Sequence, residues 1–281
     1  MDRFSRYRGE ARLQAVRFAS AFLLGALACQ DSRPTPQLEP ELLFDQADLA
    51  AFVAEFPTER YEVAVVPALG RFYVDDNPAL VKKWLREGRV WEPYVIAQLE
   101  EHLAPGDVVL DVGAHIGALT VAMARRVGEA GTVYAFEPQR KIYRELIHNL
   151  ALNALTNVVP LRFALSAESG LLEMDAGDGM DGQVSIGRGG DVVEARTLDS
   201  FGFPSVALIK IDVEGHEVEV LHGAGKLIES FHPVIIIETL APNRDTVLRM
   251  LADYGYTVRS LTRWDYIATY GRDAQRELPS D

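Results

Sequence analysis

The sequence predicts an α/β fold in which one mostly parallel seven-stranded sheet carries helices on both faces, preceded by a helical and hairpin extension. Two observations predict it. From Asp107 onward, short apolar runs rich in β-branched residues alternate with longer helical periods. The first of these runs opens directly into a glycine-bearing loop, Asp111-Val-Gly-Ala-His-Ile-Gly117. With 281 residues, 48% of them hydrophobic and 25% charged, the chain can bury a full core.

At the N-terminus, Arg3, Arg6, Arg8, Arg12 and Arg17 precede an apolar run, Phe18–Ala28, that leads to Cys29. That order resembles a bacterial lipoprotein signal, and it equally suits an Arg-rich helix lying on the domain or on a membrane surface. The run is too short for a permanent membrane span. Asp31–Pro40, with three prolines, reads as a linker, and Leu42–Phe56 as an amphipathic helix stopped by Pro57. Tyr61–Val66 and Arg71–Asp75 flank Pro67–Gly70 as a hairpin, and helical stretches follow over Ala79–Glu87 and Pro93–Leu103.

The regular part then runs strand Val108–Val112, helix Ile116–Val127, strand Thr132–Phe136, helix Gln139–Asn153, and strands Asn157–Leu165, Val206–Val213 and Val234–Glu238. A terminal hairpin, Tyr256–Leu261 with Tyr266–Tyr270, completes seven strands. The expected organisation is a signal-like or amphipathic segment with linker over 1–40, a substrate-side cap over 41–105, and the sheet domain over 106–281.

A formal net charge of −13, with no dense basic run beyond the N-terminus, argues against binding a nucleic-acid backbone, which works by lysine and arginine displacing counterions. The single cysteine can form neither an internal disulfide nor a thiolate zinc cluster.

Ligands of such sheets bind at the carboxyl ends of the strands. There, Gly113 and Gly117 let a ligand approach the backbone and a helix N-terminus, with Ala114 and His115 between them. The second strand ends in Phe136-Glu137-Pro138, a carboxylate where these folds grip ribose hydroxyls. A dinucleotide fingerprint needs a third glycine where His115 stands, so a pyrophosphate fits poorly and a nicotinamide oxidoreductase is disfavoured. S-adenosylmethionine carries no pyrophosphate, and Asp111 can help hold its ammonium directly or through the loop backbone. On the fourth strand Lys210, Asp212 and Glu214 recur at period two and share one face. Buried charges there are paired or functional.

These residues together resemble the FkbM family of S-adenosylmethionine-dependent methyltransferases. The resemblance is carried by Val109–Ala114 with Gly117, Phe136-Glu-Pro138, Asn149, Asn153, Thr197-Leu-Asp199, Ile209–Gly215 with Glu217, and Pro233–Glu238, over roughly Trp91 to Tyr256. It implies a class I methyltransferase (Rossmann-like) fold and methyl transfer to a hydroxyl of a sugar or secondary-metabolite small molecule. By analogy with that fold it adds Glu92 and Ala164 as cofactor contacts. Members commonly carry Asn where this chain has His115.

Asp212 or Glu214 is the first choice for the base or acceptor-binding group, with His216, Lys210 and Glu238 completing the catalytic candidates. Asp212, Glu214, His216 and Glu238 are also hard-metal ligand types, and a divalent cation acidifying the acceptor hydroxyl is possible, but the sequence gives no ligand geometry and no metal is predicted. The expected partner is a small-molecule acceptor, without nucleic acid, and contact of the N-terminus with a membrane stays open. Because the methyl donor is made inside cells, the cytoplasm is the expected compartment. The alternative is a catalytically inactive binding module anchored through Cys29.

Overall fold

The computed structural model describes residues 60–175, 186–187 and 189–271. The Arg-rich segment, Cys29, the proline linker and the Leu42–Phe56 helix all lie outside the described residues, and with them the question of anchoring. Among the described residues no helix is long and apolar enough to cross a membrane.

The described chain opens with an antiparallel hairpin, β1 (Glu62–Val66) and β2 (Gly70–Val74), followed by α1 (Leu80–Arg86) and α2 (Pro93–His102). Next come β3 (Val108–Val112), α3 (Ala118–Val127), β4 (Thr132–Phe136), α4 (Arg140–Leu152) and β5 (Val158–Leu161). Three short strands follow, β6 (Ala164–Leu165), β7 (Gly170–Asp175) and β8 (Gly189–Arg196). The chain closes with β9 (Leu208–Ile211), α5 (Glu217–His222), α6 (Gly225–Phe231), β10 (Val234–Glu238), α7 (Arg244–Asp253), β11 (Tyr256–Ser260) and β12 (Asp265–Tyr270).

The main sheet has seven strands in the order β11-β12-β10-β9-β3-β4-β5. Neighbours from β10 to β5 are parallel, and β12 is inserted antiparallel between β10 and β11. Strand order runs outward in both directions from the β3–β9 pair, which makes that pair the topological switch point where a ligand crevice opens. One apolar cluster, including Val109, Met123 and Leu146, packs on one face of the sheet, and another, including Leu110, Ile209 and Leu227, packs on the other.

The sequence reading of Asn157–Leu165 as one strand is corrected. The run divides at Arg162-Phe163: its first part stays on the main sheet, while β6 joins a separate three-stranded sheet ordered β6-β8-β7. The alternation of apolar residues cannot report such a change of partner, because both halves remain extended.

The hairpin and α1 share a core with the sheet domain, since Phe72, Val74 and Leu85 cluster with Ile116, Val121 and Ile142. Asn149 of α4 and Asn153, its C-cap, hold this junction. Asn149 accepts from the backbone N–H of Tyr73 at 2.6 Å and donates to the carbonyl of Ile116 at 2.8 Å. Asn153 accepts from the Arg71 N–H at 3.0 Å and donates to the Arg71 carbonyl at 2.7 Å. Beneath them, the fully buried Lys82 bridges Asp75 at 2.7 Å and Glu145 at 2.6 Å, while Tyr61 donates to Glu145 at 2.9 Å. A buried charge is tolerated when it is paired in this way.

Candidate active site

A cleft of about 670 Å³ opens outside the carboxyl ends of β3, β4, β9 and β10. Its size suits a small molecule. Gly113, Ala114, His115, Glu137, Pro138 and Ala164 line it, as do Glu92, Lys210, Asp212, Glu214, His216 and Glu238. Of the residues singled out from the sequence, Asp111 and Gly117 lie behind the lining.

Asp111 is fully buried at the end of β3. Its Oδ2 accepts from the Thr120 hydroxyl at 2.6 Å, and its Oδ1 lies 3.9 Å from the Lys210 ammonium. Burial raises the Asp111 carboxyl above its ordinary value, and Lys210 and Thr120 oppose the rise. Strand register causes this pairing, because Asp111 stands beside Lys210 across the β3–β9 ladder. Lys210 in turn donates to the Gly113 carbonyl at 3.1 Å and to Asp212 at 3.2 Å. Burial works against its charged form, but Asp212, Asp111 and Glu92 outweigh it and hold the ammonium protonated. Lys210 thus ties the loop to the fourth parallel strand.

The loop itself needs its glycines. Gly113 sits at φ +82° and Gly117, the N-cap of α3, at φ +89°, a left-handed region that other residues enter at a cost. No side chain caps α3, so its first amides face the loop without a side-chain acceptor. His115 is itself left-handed at φ 51°, and its N–H donates to Glu137 Oε2 at 3.0 Å. Glu137 Oε1 accepts from the Gln139 N–H at 2.8 Å. Burial pushes the Glu137 carboxyl up to about 7, against the pull of those two amides and Lys210. The carboxylate thus joins the loop to the start of α4.

Across the cleft, Glu214 follows β9 in a left-handed conformation at φ 50°. Glu214 is exposed on one side, and partial burial on the other, then Asp212 and Glu217, push its carboxyl up to about 7 against the pull of Lys210. His216 shares a 3.0 Å hydrogen bond with the Ser166 hydroxyl, and burial lowers its ring below the usual imidazole value. Glu238 is pushed up to about 8 by burial and by Asp212, Asp265 and Glu92, partly offset by Lys210. Glu92 caps α2 from a left-handed backbone, is 7% exposed, and is raised to about 7 by burial.

Three contributors were not read from the sequence. Asp265 and Trp264 reach the cleft because the antiparallel β12 places Asp265 beside Glu238. Tyr94 lines it too, and its hydroxyl donates to Asp265 at 3.0 Å. The terminal hairpin was visible, but the insertion of its second strand next to β10 leaves no local signal. Of the four side chains named as metal-ligand types, only Glu238 belongs to the group whose geometry suits an ion, Glu92, Glu238 and Asp265.

The donor set fits S-adenosylmethionine. Among the described residues six carboxylates line the cleft, from Glu92, Glu137, Asp212, Glu214, Glu238 and Asp265, against one lysine, so a cationic ligand is favoured. The glycine loop leaves room for backbone contact, and Glu137 stands where a ribose would be held.

Comparison with known proteins agrees. The family profile described as the methyltransferase FkbM domain matches residues 111–258. The hexuronic acid methyltransferase AglP of Haloferax volcanii is 32% identical over 156 residues, covering 52% of this chain and 61% of that protein. The chain therefore spans about three fifths of this relative's length. Methyltransferase sdnD of Sordaria araneosa is 28% identical over 205 residues, covering 58% of this chain and 79% of that one. The crystal structure of methyltransferase FkbM from Methylobacillus flagellatus KT aligns at a TM-score of 0.46 with 19% identity, over 68% of this chain and 52% of its own.

Proposed function

The chain belongs to the FkbM-domain family of S-adenosylmethionine-dependent methyltransferases, and from that premise we propose that it methylates a hydroxyl oxygen of a sugar-like small molecule. The observation that carries this reading is the acidic cleft at the switch point, closed on one side by the glycine loop and on the other by Glu214.

Gly113, Ala114 and His115 of the loop and the Glu137 carboxylate would hold the cofactor, with Asp111 and Gly117 shaping the loop from behind and Glu92, Pro138 and Ala164 at its margins. When bound, S-adenosylmethionine supplies a methyl group on a sulfonium, which leaves sulfur as the acceptor oxygen bonds to it. The protein orients the acceptor and removes its proton. Glu214 is the proposed base. Asp212 is held by the Lys210 ammonium, whereas Glu214 lines the cleft with a carboxyl poised near neutrality. A carboxyl at about 7 accepts a proton far better than an ordinary carboxylate. A strained non-glycine backbone at Glu214 fits a functional position.

A sugar acceptor is supported at the cleft mouth by Trp264, 49% exposed, on which the apolar face of a ring can lie. The hexuronic acid named for the Haloferax volcanii relative makes a uronic sugar the first acceptor to try. The test is incubation with methyl-labelled cofactor and a panel of uronic and neutral glycosides, with products treated in mild alkali. Label that survives as a methyl ether supports the reading. Label released as a methyl ester, or no labelled sugar at all, contradicts it.

A further inference from the structure

We propose that Glu92, Glu238 and Asp265 form a binding site for one divalent cation of the magnesium, manganese and calcium class, on the acceptor side of the cleft. The binding of the ion stands on the geometry alone, and its use in methyl transfer rests on the reading given above.

The three side chains come from three separate elements. Glu238 ends β10, Asp265 begins β12 directly beside it in the antiparallel ladder, and Glu92 turns in from the cap of α2. One carboxylate oxygen from each lies within 4.8 Å of the other two. Oxygens around a single hard cation bind at about 2.0–2.6 Å, so opposite ligands stand roughly 4–5 Å apart. The observed spacing fits one ion with no rearrangement of the backbone.

Glu92 is a second and independent pointer. Its side chain is 7% exposed, faces the cleft, and accepts no hydrogen bond among the described residues. A carboxylate at the cleft wall with no hydrogen-bond donor among the described residues keeps its lone pairs open to a ligand. Lys210, the only lysine or arginine among the described residues lining the cleft, hydrogen-bonds Gly113 and Asp212 and reaches Glu92 only through its charge. Asp265, by contrast, is already oriented: Tyr94 donates to its Oδ2 at 3.0 Å and Thr262 at 2.5 Å, leaving the lone pairs of Oδ1 for a ligand. Such supporting hydrogen bonds are what holds a metal-binding carboxylate in place. With oxygen ligands only, the site suits magnesium, manganese and calcium.

The cation also resolves a charge conflict. A uronic acceptor is an anion and would be repelled by six carboxylates. An ion held by three of them offers that acceptor's carboxylate or hydroxyl oxygens a positive partner in the cleft.

The test uses the full chain stripped with a chelator and titrated with manganese(II), followed by the electron spin resonance of the free ion. The expected result is one ion per chain, displaced by magnesium or calcium. Glu92→Gln and Asp265→Asn should each weaken manganese binding at least tenfold, while Asp265→Asn keeps its affinity for S-adenosylhomocysteine. A wild-type chain that binds S-adenosylhomocysteine but no manganese overturns the cation site alone. Manganese binding without any binding of S-adenosylhomocysteine overturns the methyl-transfer reading alone. If Glu92→Gln fails to fold, Asp265→Asn decides, and unchanged manganese affinity in that folded variant overturns the site.

Discussion

Gly113 lies flush against the backbone of Asp212: a Cβ added at Gly113 would fall 1.8 Å from the Asp212 carbonyl oxygen. The loop that would hold the cofactor and the strand end that would present the acceptor side are therefore in direct backbone contact. Gly113→Ala must move one of them, and it also pays about 1–2 kcal/mol for a left-handed alanine. The expected outcome is a lower melting temperature and at least a tenfold loss of S-adenosylhomocysteine affinity. Thermal melts and calorimetric titration read both, and an unchanged affinity would show that the loop does not touch the ligand.

Glu214→Gln keeps the shape of the side chain and removes the base. Turnover should fall by about 10²–10⁴-fold, with cofactor affinity retained. In the wild type the rate should rise with pH as the Glu214 carboxyl, raised to about 7, loses its proton. A pH profile of turnover checks this: the same rising limb in the variant would assign the base elsewhere, with His216 next in line.

Glu137 makes stability depend on pH without ligand. Its carboxyl sits at about 7 in the folded chain against an ordinary 4.5. Between those values the folded state holds a proton that the unfolded state has released. Its contribution is complete below about 4.5 and is lost as pH rises through about 7. Melting temperatures of the wild type should therefore fall relative to Glu137→Gln between pH 5 and 8. Parallel curves for the two proteins would mean that the buried carboxyl does not titrate there.

How far the sequence reached depended on whether a signal was local. Val108–Val112, Thr132–Phe136 and Val234–Glu238 were legible to the residue because each is a short apolar run bounded by breakers. Lys210, Asp212 and Glu214 all line the cleft, but the expected strand Val206–Val213 ends at Ile211, so only Lys210 stands on it and Asp212 and Glu214 lie on the turn beyond. What stayed hidden depended on partners distant in sequence. The break between β5 and β6 and the small sheet built on β7 and β8 follow from which strand each half meets, and Asp265 becomes part of the cleft only because β12 slots in beside β10. Asn149 and Asn153 were noted as part of the family pattern, and their side chains hold the N-terminal hairpin to α4.

Glu137 offers the most direct measurement of the account. Its position at the end of β4 assigns it to the ribose hydroxyls, and a hydrogen bond to a charged acceptor contributes about 1.5–3 kcal/mol. Titration calorimetry of S-adenosylhomocysteine should find one site per wild-type chain and an affinity about 10–100-fold weaker in Glu137→Gln. Wild-type affinity in a folded Glu137→Gln chain, or no binding to the wild type at all, would contradict the assignment of this cleft to the cofactor.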